Sequence, residues 1–261
     1  MIVKTRAIVL REIRYRDQSK ICSLFTREFG LLSVIIKGGR NPKSKLAGRF
    51  IAGTVLDIVL YKKTTREIQL VSEGNLLFSP MVPQPDIERY AIMYRIIDLV
   101  SQSIDGQEKN IPLFSLIASV LEELYSTSDR FRLLYSWFLL KLVSLLGFEP
   151  SIHRCVLSHE EISPATLAEN KGELCFLFNP GGVALPASKS VIENENRPLS
   201  MATYALLSAI SSTPLNLLKN IEAIPPQTDL LCNLLEEYCT LHLVHHPHKK
   251  NIAIVSQILS E

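Results

Sequence analysis

Cysteine is scarce, and its spacing offers no pairs. The five thiols, at positions 22, 155, 175, 232 and 239, are odd in number and form no C-x-x-C. That argues against a disulfide framework and against an intact four-cysteine zinc site. Long apolar runs are missing as well. The longest, Leu133–Phe148, is broken by Lys141 and falls short of the ~20 residues a bilayer requires, so it reads as a core helix. The opening MIVKTRAIVLREIRYRD has neither an apolar h-region nor a small-residue cleavage site, and a cytoplasmic protein is expected. Catalytic signatures are lacking too: there is no G-x-S-x-G, no H-E-x-x-H, no paired-carboxylate motif and no dinucleotide fingerprint. Cys22 falls inside an expected strand and reads as core, not nucleophile. The expectation is a protein that is not an enzyme.

What is present is ordinary globular composition with an uneven charge. Hydrophobic residues make up 47% and charged residues 21% of 261. These values exclude disorder and fibrous repeats and allow one large domain or two to three small ones. The net charge is only +2, yet residues 1–80 hold 15 Lys/Arg against 6 Asp/Glu, and the remainder holds 13 against 20. A basic domain joined to an acidic one points to a polyanion as partner of the first; a solvated charged surface is the plainer alternative.

Residues 5–78 carry the strand pattern. Thr5–Tyr15, Ser19–Thr26, Leu31–Lys37, Phe50–Tyr61 and Arg66–Leu76 are short, rich in β-branched residues and separated by turn chemistry at Arg27–Gly30, Gly38–Lys45 and Lys62–Thr65. In the second, Ile21, Ser23 and Phe25 alternate onto one face. Five short strands in about 75 residues predict a small closed barrel, most simply an OB-fold, with an SH3-like barrel as the alternative. SPMVPQP (79–85), with three prolines in seven residues, marks a boundary. The period then becomes helical over Asp86–Asp105, Pro112–Tyr125 and Asp129–Leu146. The third of these has Ser128 or Asp129 as N-cap and Gly147 as C-cap. Leu133–Leu146 is apolar nearly all round and belongs at the centre of a bundle. Helices resume at Ser200–Ser211 and at Asp229–His245, the latter with a stripe of Leu230, Leu231, Leu234, Leu235, Tyr238 and Leu241. A short helix is expected at Ile252–Leu259. The fold class is thus α+β, with a barrel domain over 1–80 and a helical domain over 81–261.

Three local features carry chemistry. The loop KGGRNPKSK places Lys37, Arg40, Lys43 and Lys45 within nine residues, with Arg49 just beyond. Its two glycines allow close approach to a polyanion, and amides freed at Gly38 and Gly39 could cup a phosphate. Arg11, Arg14 and Arg16 near the first turn, and Lys62, Lys63 and Arg66 at a hairpin, join the same surface if the barrel brings them together. Few aromatics are interleaved, which favours contacts to the phosphate backbone over base stacking. The second feature, residues 148–190, reads as a degenerate metal knuckle. Cys155 in RCVLSHEE and the turn in GGVALPAS sit where a zinc knuckle has C-x-x-C pairs, but the partner positions are Ser158, Leu185 (or Ala184) and Ser188. A rescue by His153, Cys155, His159 and Cys175 is the alternative to a metal-free remnant, and no cofactor is expected. The third is the cluster His242, His245, His246 and His248, read as helix capping and packing instead of metal binding.

The run TRAIVLREIRYRDQSKICSLFTREFGLLSVIIKGGRNPKSKL resembles the opening of the RecO family of bacterial recombination mediators. So do LLGFEPSIHRCVLS and GGVALPAS, which are similar to that family's cysteine segments but depart at three of four cysteines. The resemblance covers nearly the whole chain. It implies an N-terminal OB-fold, a helical domain and a zinc-ribbon-like insert, in a nucleoid-associated protein. It also implies binding of single- and double-stranded DNA, annealing of complementary strands, and partnership with RecR and the acidic tail of single-stranded DNA-binding protein, so that RecA is loaded. Two other classes are a generic OB-fold RNA- or DNA-binding accessory protein, marked by preference for structured RNA, and a hydrolase with an unrecognised site, marked by metal-dependent cleavage.

Overall fold

The computed structural model describes residues 1–81, 86–104, 106, 108–170, 172–185 and 196–243. Its first five strands are β1 (Ile2–Tyr15), β2 (Ser19–Thr26), β3 (Gly30–Ile36), β4 (Val55–Tyr61) and β5 (Ile68–Phe78). They close into a barrel in the order β1-β2-β3-β5-β4, with β3 and β5 parallel and the other pairs antiparallel. This is the expected OB-type arrangement. Closure requires β1 to pair on both sides. Ile2–Ile8 pairs with β4 and Ala7–Tyr15 with β2, and an irregularity between Val9 and Arg11 turns the strand from one partner to the other. The first strand therefore begins three residues earlier than the sequence pattern suggests. The fourth begins later, at Val55 and not Phe50, because Phe50 leaves the sheet to plug the barrel. Its ring fills the space beside Gly74, where a Cβ would lie 2.8 Å from it.

Strand alternation divides the apolar residues between two cores. Ala7, Val9, Cys22, Leu24, Val34, Leu56, Ile58 and Leu60 point into the barrel. Burial, with Glu12 adding to it against Lys20, pushes the Cys22 thiol up to about 12, as befits a core residue. Ile8, Leu10, Phe25 and Val55 point outward and belong to the core of the helical region. Phe25 thus lies on the outer face with Ile21 and Ser23, and its ring centroid is 5.9 Å from that of Phe114. Gly53 (φ 85°) brings the backbone against Met93, with no room for a Cβ.

The helices are α1 (Ile87–Ser103), α2 (Ile111–Ser126), α3 (Phe131–Leu145), α4 (Pro164–Glu169), α5 (Met201–Ser212) and α6 (Pro225–Leu243), with a 3₁₀ turn at Leu215–Asn220. Between them lie the short strands β6 (Cys175–Leu177), β7 (Gly182–Ala184) and β8 (Asn196–Pro198) in a sheet ordered β7-β6-β8. As its all-round apolarity predicts, α3 is central: it packs against α1, α2, α5 and α6. Lys141, on its solvent side, donates to the Ser211 carbonyl at 2.7 Å and lies over the Trp137 ring.

Several expected details are corrected. Neither Ser128 nor Asp129 caps α3. Arg130 occupies that position in a left-handed conformation (φ 60°), and its guanidinium reaches away to the carbonyls of Lys219 and Ile221, each at 2.9 Å. At the other end Leu146 is the C-cap and Gly147 (φ 90°) follows it. Gly147 N–H donates to Ser144 and Phe148 N–H to Val143, the double bond of a Schellman ending. In α6 the buried stripe is Leu231, Leu234, Leu235, Tyr238, Cys239 and Leu243; Leu230 and Leu241 stand 59% and 57% exposed. That helix starts four residues early, at Pro225. The small helix α4, the 3₁₀ turn and β8 have no counterpart in the sequence pattern. The expected terminal helix at Ile252–Leu259 lies outside the described residues, as do Ser188, His245, His246 and His248. No helix among the described residues is long and apolar enough to cross a membrane.

Candidate nucleic-acid interface

Strand direction decides which basic residues meet. β1 and β3 run toward one end of the barrel, so the β1–β2 turn and the long β3–β4 connection emerge side by side there. Arg16 (φ 51°) makes the tight turn, with its guanidinium 5.2 Å from the Tyr15 ring centre. Arg40 ties the connection to that turn. Its guanidinium donates to the carbonyls of Arg16 and Asp17, each at 3.2 Å, and its own amide donates to Gln18 at 3.0 Å. Asn41 adds a side-chain bond to Gln18 at 3.3 Å.

The connection is a chain of turns. Gly38 (φ 69°) lets it reverse, and bonds from Asn41 to Gly38, Ser44 to Asn41 and Ala47 to Ser44 carry it onward. Of the two glycine amides expected to cup a phosphate, that of Gly39 already donates to Ile36, and the next two amides, of Arg40 and Asn41, donate to Gln18 and Gly38. What the loop offers an anion is side chains. Lys37, Arg40, Lys43 and Lys45 are exposed, as are Arg11, Arg14 and Arg16. Among the described residues none of these seven has a carboxylate within ion-pair distance. Arg49 differs: it is half-buried and donates to the Gly74 carbonyl at 2.6 Å, holding the loop against β5. Lys20 is also withdrawn, paired with Glu12 and bonded to the Phe50 carbonyl.

Lys62, Lys63 and Arg66 are not brought to this surface. β4 and β5 meet at the opposite end, beside the N-terminus and the β2–β3 turn: the Met1 amino group donates to the Lys62 carbonyl at 3.0 Å, and Lys62 lies over the Phe29 ring. Buried Gln69 shapes that hairpin by bonding Lys63 through its amide and carbonyl and Arg66 through its carbonyl. Lys63 and Arg66 are exposed there, so they form a second, separate basic edge.

One neighbour of the basic end is not evident from the sequence pattern. Ile13, Ile21 and Ile35 sit in register on adjacent strands and are half-buried on the barrel's outer face, one step from the Arg11–Ser23–Ser33 row. The alternation of Ile21, Ser23 and Phe25 is visible in the sequence. That only the Phe25 end of this face is covered depends on where the helices dock.

The knuckle is built from contacts among its own residues and with the helices. The thiol sulfur of Cys155 accepts the amides of Ser158 and Leu185 at 3.4 Å. Burial raises its pKa, but donors from Ser158, Leu185 and Leu157 outweigh that and hold the thiol below its ordinary value. Cys175 is raised, by burial and then by Cys155. His153 faces the Ser211 hydroxyl at 3.3 Å. Among the described residues no three of His, Cys, Asp or Glu converge as a metal would need, so His153, Cys155, His159 and Cys175 are not brought together as a rescue set. Phe176 meets Tyr238 edge-on at 5.4 Å, Tyr238 donates to the Phe148 carbonyl at 3.0 Å, and His242 lies 2.8 Å from the Phe178 carbonyl. His242 therefore packs the insert onto α6, as its helical position suggests.

Comparison with known proteins bears on the whole chain. Residues 1–80 match the family model "Recombination protein O N terminal", and residues 84–252 match "Recombination protein O C terminal". The chain is 60% identical over 261 residues to the DNA repair protein RecO of Chlorobium limicola, covering 100% of both. It is 56% identical to that of Pelodictyon phaeoclathratiforme, covering 99% of both, and 30% identical to that of Chloroherpeton thalassium, covering 99% of this chain and 100% of the relative.

Proposed function

The chain belongs to the RecO family of DNA repair proteins, and from that premise we propose that it is a non-catalytic mediator that binds single- and double-stranded DNA and anneals complementary strands. In this reading it works with RecR and with the acidic tail of single-stranded DNA-binding protein to load RecA onto coated single strands, in the cytoplasm at the nucleoid. It uses no cofactor. The observation that carries the reading is the basic end of the barrel, where Arg14, Arg16, Lys37, Arg40, Lys43 and Lys45 stand exposed with no carboxylate partner among the described residues.

Such an arrangement acts by charge. Two DNA strands repel through their phosphates. A rigid cluster of cations that holds part of each backbone displaces condensed counterions and lowers that repulsion, leaving the base edges free to pair. Arg40 has two tasks: it fixes the turn against the loop through two carbonyls, and its remaining donors face solvent. Lys43 and Lys45 have no such structural duty, which makes them the cleaner probes.

The test is titration of a labelled single-stranded oligonucleotide at several salt concentrations, with and without an acidic tail peptide. Lys43→Ala with Lys45→Ala should weaken binding. For every phosphate left without its cation, the plot of log affinity against log salt should flatten by roughly 0.7, and adding Arg40→Ala should extend the effect. An unchanged salt slope would remove this loop from the DNA surface.

A further inference from the structure

The pairing register of the barrel carries one apolar row around its outer face. Ile13 stands opposite Ile21, Ile21 opposite Ile35, Ile35 opposite Leu70, Leu70 opposite Tyr61 and Tyr61 opposite Ile2. Their strand neighbours Cys22, Val34, Val71 and Leu60 fill the barrel, so by alternation the row points out. The stagger that closes a barrel returns the row to β1 near the strand's start and not at Ile13. It therefore winds from one end of the barrel to the other. Neighbouring strands lie about 4.8 Å apart, so its five steps make a path of roughly 24 Å.

This row is uncovered. Ile13, Ile21, Ile35 and Leu70 are half-buried, and among the described residues none of the four packs against either core; Tyr61 and Ile2 are exposed. It is uncharged along its length and basic at both ends. Arg11, Arg14 and Arg16 flank the Ile13 end. Lys63 and Arg66 stand exposed near the Tyr61 end, where the Met1 amino group meets the Lys62 carbonyl. The two basic edges, which the barrel keeps apart, are thus joined by a strip of apolar surface. The next outer row, Arg11–Ser23–Ser33–Ile68, adds two hydroxyls beside it.

Complementarity selects the ligand. An unpaired strand exposes the faces of its bases to water, and apolar protein surface can take them up. In a duplex, stacking already hides those faces, and only the phosphates remain to be held. We propose that the row is the track of a single strand, with base faces laid on Ile21, Ile35 and Leu70 and stacked on Tyr61, and that this row is what separates single- from double-stranded DNA. The inference rests on the DNA-binding reading of the basic end and adds a second mode to it. A duplex is held by the basic loop alone, a single strand by loop and row together. Bases on the row are covered, so a strand must leave it before it can pair.

The experiment measures the affinity of the full-length protein for a labelled oligothymidylate and for a labelled duplex, each at several salt concentrations. Ile21→Thr and Ile35→Thr keep β-branched side chains in the strands while making the row polar; Tyr61→Ala removes its aromatic ring. The triple variant should lose single-strand affinity by about fivefold or more, the lower end of what one stacked base contributes, and duplex affinity should change by less than about twofold. Its salt slope should match wild type, because no cation is removed. Tyr61→Ala alone, at a side chain already 42% exposed, should show the same selective loss, and this decides the matter if the triple variant fails to fold. Equal losses for the two probes, or single-strand binding indifferent to Tyr61→Ala and to the folded triple variant, would overturn the proposal while leaving the basic loop as the DNA surface. A flattened salt slope would also overturn it, by tracing the loss to charge. Wild-type protein that binds neither probe would instead remove the DNA-binding reading, and this inference with it.

Discussion

Replacing Phe25 by Ala should destabilise a helical region to which Phe25 does not belong in sequence. The side chain is fully buried on the outside of the barrel against Phe114 of α2. Truncating a buried Phe costs about 3–5 kcal/mol through the loss of burial and the cavity left behind. A urea slope of about 3 kcal/mol per molar turns that into a shift of roughly 1–1.7 M in the unfolding midpoint. The assay is simple because the protein has a single tryptophan, Trp137, and it sits in α3 inside the helical core. Its fluorescence reports the helices, while circular dichroism reports the whole chain. If barrel and helices share one core, Phe25→Ala moves both transitions together. Combining it with Phe114→Ala should reveal a coupling of about 0.5–1.5 kcal/mol for the ring pair. A Trp137 transition that ignores Phe25→Ala, alongside an earlier dichroism step, would show that the barrel unfolds alone and would refute the shared core.

Other outcomes follow from single sites. Gly182→Ala should cost more than about 2 kcal/mol, since φ is 143° and a Cβ would collide with the backbone of Ser151; a variant with an unchanged thermal midpoint would contradict that geometry. Annealing of complementary oligonucleotides should proceed without ATP and without cleavage, which gel assays with and without nucleotide and divalent metal would check. Protein purified without chelator should carry far less than one zinc per chain by elemental analysis, and near-stoichiometric zinc that disappears on mutating Cys155 or His159 would reverse that expectation.

The barrel is legible in the sequence because its strands are short and β-branched and the proline-rich stretch at 79–85 separates them from helical spacing. The central place of α3 is legible for a similar reason: a helix apolar on nearly all sides has only one place to go. Other features depend on distant contacts. Ser128 and Asp129 are good capping residues by local chemistry, yet Arg130 takes the position because its guanidinium finds carbonyls some 90 residues away. The α6 leucines suggest one broad stripe, but Tyr238, reaching back to Phe148, sets the rotation that turns Leu230 and Leu241 outward. Within the basic site, the grouping of Lys37, Arg40, Lys43 and Lys45 is local and readable. The separation of Lys62, Lys63 and Arg66 is not, because it follows from the directions of β4 and β5 around the closed barrel. The occupied amides of the glycine loop likewise depend on Gln18, from another turn.

The stretch Ala7–Leu10 is buried at four consecutive positions, two toward the barrel and two toward the helices. Most strands hold their register by polarity, since a slip of one residue would drive a charged side chain inward. Here a slip would exchange one apolar pair for another, and water would take no part in choosing between them. The discriminator must be size. Ala7 and Val9 suit the narrow barrel interior, and the larger Ile8 and Leu10 suit the space between barrel and helices. Enlarging Ala7 would weaken the distinction between the correct pairing and its neighbour, in addition to crowding the barrel. Within these four positions steric fit makes the choice, and on either side of them polarity takes over again, at Arg6 before the stretch and at Arg11 beyond the irregularity that follows Val9.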